Sequence, residues 1–443
     1  MGQETAAIRH LHDTQSRPPH GCSRGPGARM WRVGARIAAL AAGLVLACGS
    51  PARAQPRDDA LLARAQAERP ALVDTLRRLV EIESGSLDTK GLKRIADVLD
   101  NELTQVGASV ERIPSPPSTG DTVIGRLSGG GTGSVMLMAH MDTVYPEGVL
   151  AKRPFRVEGS RAYGPAVADA KGGIAVILHA LKILKERGFR DFARITVVFN
   201  PDEERGSLGS GALIRHLAGE HDAVLSFEPT STPKEVIVLG TAGTANLVAK
   251  VTGKASHAGA APEQGVNAIV ELSDLVLRTL DLDDPKKRLR FNWTIASGGG
   301  TPNVIPASAS ASANVRYARP EDFEALVAEL QTRLAKKRLQ GADIKLEVQP
   351  GRPAFFATDA SRQLAERARS VYAEAGGAIE FVEFTGGGTD AGYAAMSGKP
   401  VVEALALPGH GYHSPSEEYV DLDRVGPRLY MAMRLIMDIT ARK

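Results

Sequence analysis

Cysteine is nearly missing from this chain: there are two in 443 residues, Cys22 and Cys48, both near the N-terminus. A chain that begins at Gln55 has none, which excludes disulfides, thiolate metal ligation and cysteine nucleophiles. An apolar run long enough to span a bilayer is also lacking. The N-terminal run from Ile37 to Cys48 is 12 residues against the roughly 20 a spanning helix needs. Net charge is only +3 and the basic residues are dispersed, with no aromatic-basic patch, so nothing points to nucleic acid. Residues 129–133, Gly-Gly-Gly-Thr-Gly, lack the Lys-Ser/Thr of a phosphate loop and read as a hairpin turn. No internal repeat and no low-complexity tract follows residue 55.

What is present begins with a targeting segment. Residues 1–29 are polar and unpatterned, Arg32 and Arg36 precede the apolar run, and Ala52-Arg-Ala54 matches a small-x-small cleavage site. The pattern predicts a signal peptide over residues 1–54, cleavage after Ala54 and a periplasmic or secreted protein. Met30 is an alternative initiator, and lipid attachment at Cys48 is a second reading of the same stretch. Composition, 43% hydrophobic and 24% charged, is ordinary for a soluble enzyme.

Helical periodicity runs through 59–82 and again from Gly91 to Val106. Strand-like runs follow at 120–127 and 134–140, and a helix from Gly172 to Arg187 stops at Gly188. This alternation predicts an α/β catalytic domain on a mainly parallel sheet, built from residues 55–240 and 355–443. Between them, 241–354 reads strand-helix-strand-strand-helix-strand, a ferredoxin-like α+β domain inserted into the larger one.

Chemistry clusters where apolar runs end. Such ends are found at His140-Met-Asp142, Asp169-Ala-Lys-Gly-Gly173, Pro201-Asp-Glu-Glu204, Glu228 and, after Val401 to Leu407, His413. Ligands of open α/β sheets bind beyond the carboxyl ends of parallel strands. Two histidines and three carboxylates without cysteine suit one or two divalent ions. His140 can ligate through one ring nitrogen while Asp142 accepts from the other. Of the adjacent Glu203 and Glu204, one can bind metal while the other faces a water as general base. Each motif also has a plainer reading: a strand-end histidine, a helix N-cap at Asp169, a solvated acidic loop, and a structural histidine at His257.

Taken in order, the motifs resemble those of the di-zinc metallopeptidases of the aminoacylase and glutamate carboxypeptidase family, over residues 60–443. The likeness is strongest to secreted, folate-hydrolysing glutamate carboxypeptidases, through His140-Met-Asp-Thr-Val-Tyr145, Asp202-Glu-Glu, Ser226-Phe-Glu-Pro-Thr230, Gly253 to Pro262, Phe291-Asn-Trp-Thr-Ile295 and Thr385-Gly-Gly-Gly-Thr-Asp390. The resemblance implies two Zn²⁺ per subunit, with Co²⁺ or Mn²⁺ as substitutes. His140 and Glu228 would hold one ion, Glu204 and His413 the other, and Asp169 would bridge them. Asp142 would orient His140, and Glu203 would be the general base. His257 would polarise the scissile carbonyl from the other subunit of a homodimer. Arg316, Asn303 and Gly388 would hold a free α-carboxylate, and Arg352 would select an acidic side chain. The implied activity is removal of a C-terminal glutamate from folate-like or N-acyl conjugates. The alternatives are an aminoacylase or deacetylase of the same family, or an inactive amino-acid or metal-binding protein of the same fold. The sequence departs from the family pattern at Ala170, where an acidic residue or Met is common, and around Lys234 and Val238. His410 is a rival ligand to His413.

Overall fold

The computed structural model describes residues 56–414 and 418–441. The predicted signal segment, with Cys22 and Cys48, lies outside the described residues.

A six-stranded sheet carries the site. Its order is Ser109–Pro114, Asp121–Ser128, Arg194–Asn200, Ser134–His140, Ala223–Ser226 and Val401–Val402. The first two pairings are antiparallel and the last three parallel, so the sheet is mixed with a parallel half. Side chains alternate across it. Val135, Leu137 and Ala139 face a core built with the helices Arg69–Val80, Lys171–Glu186, Asp359–Glu374 and Val425–Thr440. Met136 and Met138 face a second core with Ile214 and Leu217 of the helix Gly211–Gly219. Both faces are covered, which explains the near-continuous apolar runs.

Two local expectations are corrected here. Residues 129–133 are not a hairpin turn, because the strands they join do not pair; Arg194–Asn200 lies between them. The glycines serve close approach instead: a Cβ on Gly129 would stand 2.3 Å from the Phe192 carbonyl oxygen, and one on Gly133 2.4 Å from that of Thr440. The periodic stretch 59–82 is two helices, Asp59–Ala67 and Arg69–Val80, broken at Glu68 with Pro70 opening the second.

Glu68 is buried at that break. It accepts from Lys182 Nζ at 3.0 Å, meets His179 Nδ1 at 2.6 Å and pairs with Arg64 at 2.5 Å. Burial alone would raise its carboxyl, but these three partners outweigh it and bring the pKa down to about 2. A carboxylate depressed by folding stabilises above its unfolded pKa and loses that stabilisation as pH falls through the folded value. Wild-type stability should therefore decline between about pH 4.5 and 2 through this residue. Glu68→Gln should cost roughly 3 kcal/mol at neutral pH and flatten that part of the profile, as read by denaturant titration at several pH values.

Residues 243–350 hold a four-stranded antiparallel sheet in the order Arg290–Gly298, Ser308–Tyr317, Gly243–Thr252, Asp343–Pro350. Its helices are Ala268–Leu277 and Pro320–Leu334. Numbered along the chain, the strand order is 2-3-1-4, the ferredoxin-like arrangement. Leu247, Leu275, Val315 and Leu330 give it a core of its own. Asn267 caps the first helix, accepting from the N–H groups of Ile269 and Val270.

Candidate metal centre

Three neighbouring strands deliver their C-terminal ends to one line. His140 is in register with Asn200, and Met138 with Ser226. The chain beyond each end then supplies Asp142, then Glu203 and Glu204, then Glu228. The other two expected ends are different. Asp169 sits in the turn before the helix Lys171–Glu186, and His413 follows Pro408–His410, a strand of a separate five-stranded sheet. Three of the five groups thus sit at strand ends of the six-stranded sheet, and His413 follows a strand of the smaller sheet that pairs in parallel with Thr230–Ser231.

Asp169 faces both histidines. Its Oδ1 lies 2.9 Å from His140 Nε2 and its Oδ2 3.1 Å from His413 Nε2. Glu228 Oε2 is 3.6 Å from His140 Nε2, and Glu204 Oε2 is 3.3 Å from His413 Nε2. The groups therefore form two sets, His140–Asp169–Glu228 and His413–Asp169–Glu204, sharing one carboxylate. Ligand atoms of His140, Asp169 and Glu204 all fall within 4.8 Å of one another. His410 does not join them; its ring packs near Tyr419.

The cluster demands positive charge. Burial opposes a proton on His140, yet Glu228, Asp142 and Asp169 hold its pKa well above the ordinary histidine value. Hydrogen bonds to Asp169 and Glu204 push His413 up to about 10. A divalent ion meets that demand better than protons, because one ion satisfies several carboxylates and leaves both imidazoles neutral as ligands. Glu204 Oε1 is buried without a hydrogen-bond partner. The donor set, the shared carboxylate and this orphaned oxygen all fit a pair of divalent ions.

Surrounding groups fix the ligands. His140 Nδ1 lies 3.0 Å from the Asp142 carbonyl oxygen and 3.3 Å from its Oδ1. That assigns the proton to Nδ1 and frees Nε2 for the centre. The Asp142 carboxylate also accepts from the Glu203 and Glu204 N–H groups, at 3.0 and 3.2 Å, and from Ser86 Oγ at 2.7 Å. Glu418, which sequence reasoning missed, accepts from the N–H groups of Ala166, Ala168 and Asp169. Helix and strand meet closely here: a Cβ on Gly173 would stand 2.0 Å from the Phe227 carbonyl oxygen, one residue before Glu228.

Glu203 points away from the shared carboxylate. It is buried, and Arg352 Nη2 lies 3.1 Å from its Oε1. Burial pushes its carboxyl well above the usual range, against the pull of Arg352 and His140. Arg352 is itself buried and donates to the Gly388 carbonyl oxygen at 2.5 Å. Arg316 is near Gly388: a Cβ there would stand 3.8 Å from its Nη1. Among the described residues Arg316 has no carboxylate partner; its Nε donates to Asn314 Oδ1 at 3.4 Å.

His257 and Asn303 stand apart from this group. Both are exposed, and they are joined by the Ala258 N–H donating to the Asn303 carbonyl oxygen at 2.9 Å. His257 Nδ1 accepts from the N–H groups of Gly259 and Ala260, so the proton is on Nε2, facing outward as a donor.

The sequence pattern of Peptidase family M20/M25/M40 matches residues 136–438. Carboxypeptidase G2 of Pseudomonas sp. (strain RS-16) is 55% identical over 393 residues, covering 88% of this chain and 95% of that protein. Among solved structures, aminopeptidase PepT from Bacillus cereus has a TM-score of 0.70 at 23% identity, covering 84% of this chain and 98% of its own. A Bacillus subtilis protein described as a dinuclear metal binding peptidase has a TM-score of 0.61 at 17% identity, covering 85% and 100%.

Proposed function

Because the chain belongs to peptidase family M20/M25/M40, we propose that it is a metallo-carboxypeptidase that hydrolyses the amide bond to a C-terminal glutamate in N-acyl conjugates, folate-like ones included. The observation that carries this reading is the shared Asp169 between two ligand sets, with buried Glu203 beside it and the unpaired cation Arg316 beyond. The 55% identity to Carboxypeptidase G2 supports glutamate as the amino acid released.

The ligand residues are those for two Zn²⁺, with Co²⁺ or Mn²⁺ as substitutes. When bound, such ions polarise a carbonyl and acidify water. Glu203 takes the proton of the attacking water and later gives it to the leaving amine. Its raised proton affinity suits both halves of that exchange, since a carboxyl of ordinary pKa gives up its proton too readily to return it. Arg352 holds the Glu203 carboxylate in place and also presents its charge to an acidic substrate side chain. Arg316 and Gly388 receive the free α-carboxylate. His257 Nε2 and Asn303 come to the substrate from the other subunit of a homodimer, in which residues 241–354 form the dimerisation domain. Exposed Leu277 and Ile295 on that domain suit such a pairing. No helix among the described residues is long and apolar enough to cross a membrane. We assign residues 1–54 to export, with a lipid at Cys48 as the alternative anchor.

The decisive test is release of free glutamate from 4-aminobenzoyl-glutamate and N-acetyl-glutamate by zinc-loaded protein, beside N-acyl leucine and ornithine. Chelator-sensitive turnover of the glutamyl compounds alone is expected; preference for leucine or ornithine defeats the assignment. Arg316→Met should raise KM for glutamyl substrates by roughly 10- to 100-fold, the weight of one charge-assisted hydrogen-bond pair. An unchanged KM would remove Arg316 from the carboxylate site.

A further inference from the structure

His413 is the most exposed of the five ligand residues. Its side chain is 52% exposed, against 1% for His140. Its backbone is left-handed, with φ 59°. A residue that carries a side chain keeps that conformation only where its surroundings impose it.

Two tyrosine hydroxyls flank it. Upstream, the Tyr412 hydroxyl donates to the Thr230 carbonyl oxygen at 2.6 Å and lies 3.0 Å from that of Gly409. Downstream, the Tyr145 hydroxyl donates to Glu418 Oε2 at 2.6 Å and lies 3.0 Å from the Ser414 carbonyl oxygen. Glu418 is the carboxylate that holds the Asp169 turn. One hydroxyl therefore joins the turn of the shared ligand to the turn of the exposed one.

Tyr145 belongs to the segment that begins at the other histidine. His140 is a member of the first ligand set, Asp142 orients it, and Tyr145 follows on the same stretch of chain. The backbone there is fixed. The Thr143 N–H donates to the Ser84 carbonyl oxygen at 3.0 Å, and the Ser86 N–H to that of Thr143 at 3.1 Å. The Tyr145 N–H donates to Thr143 Oγ1 at 3.0 Å. A Cβ on Gly85 would stand 2.6 Å from the Tyr145 carbonyl oxygen, so the two loops close this far only over a glycine. Tyr145 is thus a stiff arm that reaches from the first ligand set to the turn carrying the second.

We propose that Tyr145 is a positioning residue for the second metal ion: by holding the turn after His413, its hydroxyl sets the affinity of His413, Asp169 and Glu204 for that ion. The inference rests on the two-ion reading. Loss of the hydroxyl leaves the shared carboxylate in place, because Glu418 still accepts from the N–H groups of Ala166, Ala168 and Asp169 at 3.1, 2.9 and 3.1 Å. His140 keeps its contacts with Asp142 and Asp169. What is lost is the link to the His413 turn, so the effect falls on the second ion.

The test titrates metal-free full-length wild type and Tyr145→Phe with buffered Zn²⁺ and counts bound ions by atomic emission. Wild type should take two ions. The variant should bind the first as wild type does and the second about 10- to 100-fold more weakly, the range seen when a group that orients a ligand is removed. His413→Ala supplies the reference for a lost second site, and equal thermal midpoints of the metal-free proteins report that Tyr145→Phe is folded. With free Zn²⁺ held where only the first site fills, kcat of the variant should be low. It should return to the wild-type value at higher Zn²⁺ with KM unchanged, a rescue that a packing defect would not show. A variant that holds both ions with wild-type affinity, or that weakens both alike, would overturn the role. A single ion in wild type would defeat the two-ion reading and this role with it, and that result is read from wild type alone.

Discussion

Glu203→Gln should lower kcat by roughly 10²–10⁴-fold, the usual weight of a positioned general base. Metal content measured by atomic emission should stay at the wild-type value. The split follows from geometry. Glu204, Glu228 and Asp169 converge on the two histidines, whereas Glu203 turns to Arg352 at 3.1 Å. The amide keeps the shape of the side chain and a hydrogen bond to Arg352 but cannot take a proton. Near-normal turnover would remove Glu203 from the base role. Loss of metal together with activity would make it a ligand.

Exhaustive chelation should abolish activity and also weaken the fold. Ions that bind only the native state stabilise by mass action, about 4 kcal/mol for each site filled at a thousand times its Kd. The carboxylates of Asp142, Asp169, Glu203, Glu204 and Glu228 crowd one region, with Arg352 as the arginine paired there. Stripping the ions leaves that repulsion to Arg352 and the histidines. Calorimetry should show a lower Tm in chelator, restored by Zn²⁺. A Tm indifferent to chelation would mean that the centre binds metal too weakly to be structural.

Legibility from sequence followed the range of the interactions. His140, Glu204 and Glu228 were readable because each stands at the end of a strand or within four residues of it, and strand ends are local features. Asp169 and His413 also stand out after apolar runs, but a turn and a strand of the small sheet present them instead of the main sheet's strand ends, and only the family resemblance suggested how they share the two ligand sets. The partnership of Arg352 with Glu203 and the grip of Glu418 on the Asp169 loop join residues far apart in the chain, and no local pattern announces them. The same limit explains the mistaken hairpin at 129–133. Glycines that admit a passing backbone look, in sequence, like glycines that turn a chain.

The strand Arg194–Asn200, set between two strands that precede it in sequence, has a consequence for the order in which the molecule assembles. Asp121–Ser128 can pair at once with Ser109–Pro114, but it is not linked to Ser134–His140 until residue 200 is available, and the edge strand Val401–Val402 arrives only after the whole of 243–350. The four-stranded domain has its own core and finds all its strand partners within residues 243–350, so it can close before Val401–Val402 is made. The strands that present His140, Glu204 and Glu228 pair with one another before residue 227, whereas the sheet's last edge and the His413 segment come after the inserted domain, so the second ligand set is the last to be completed.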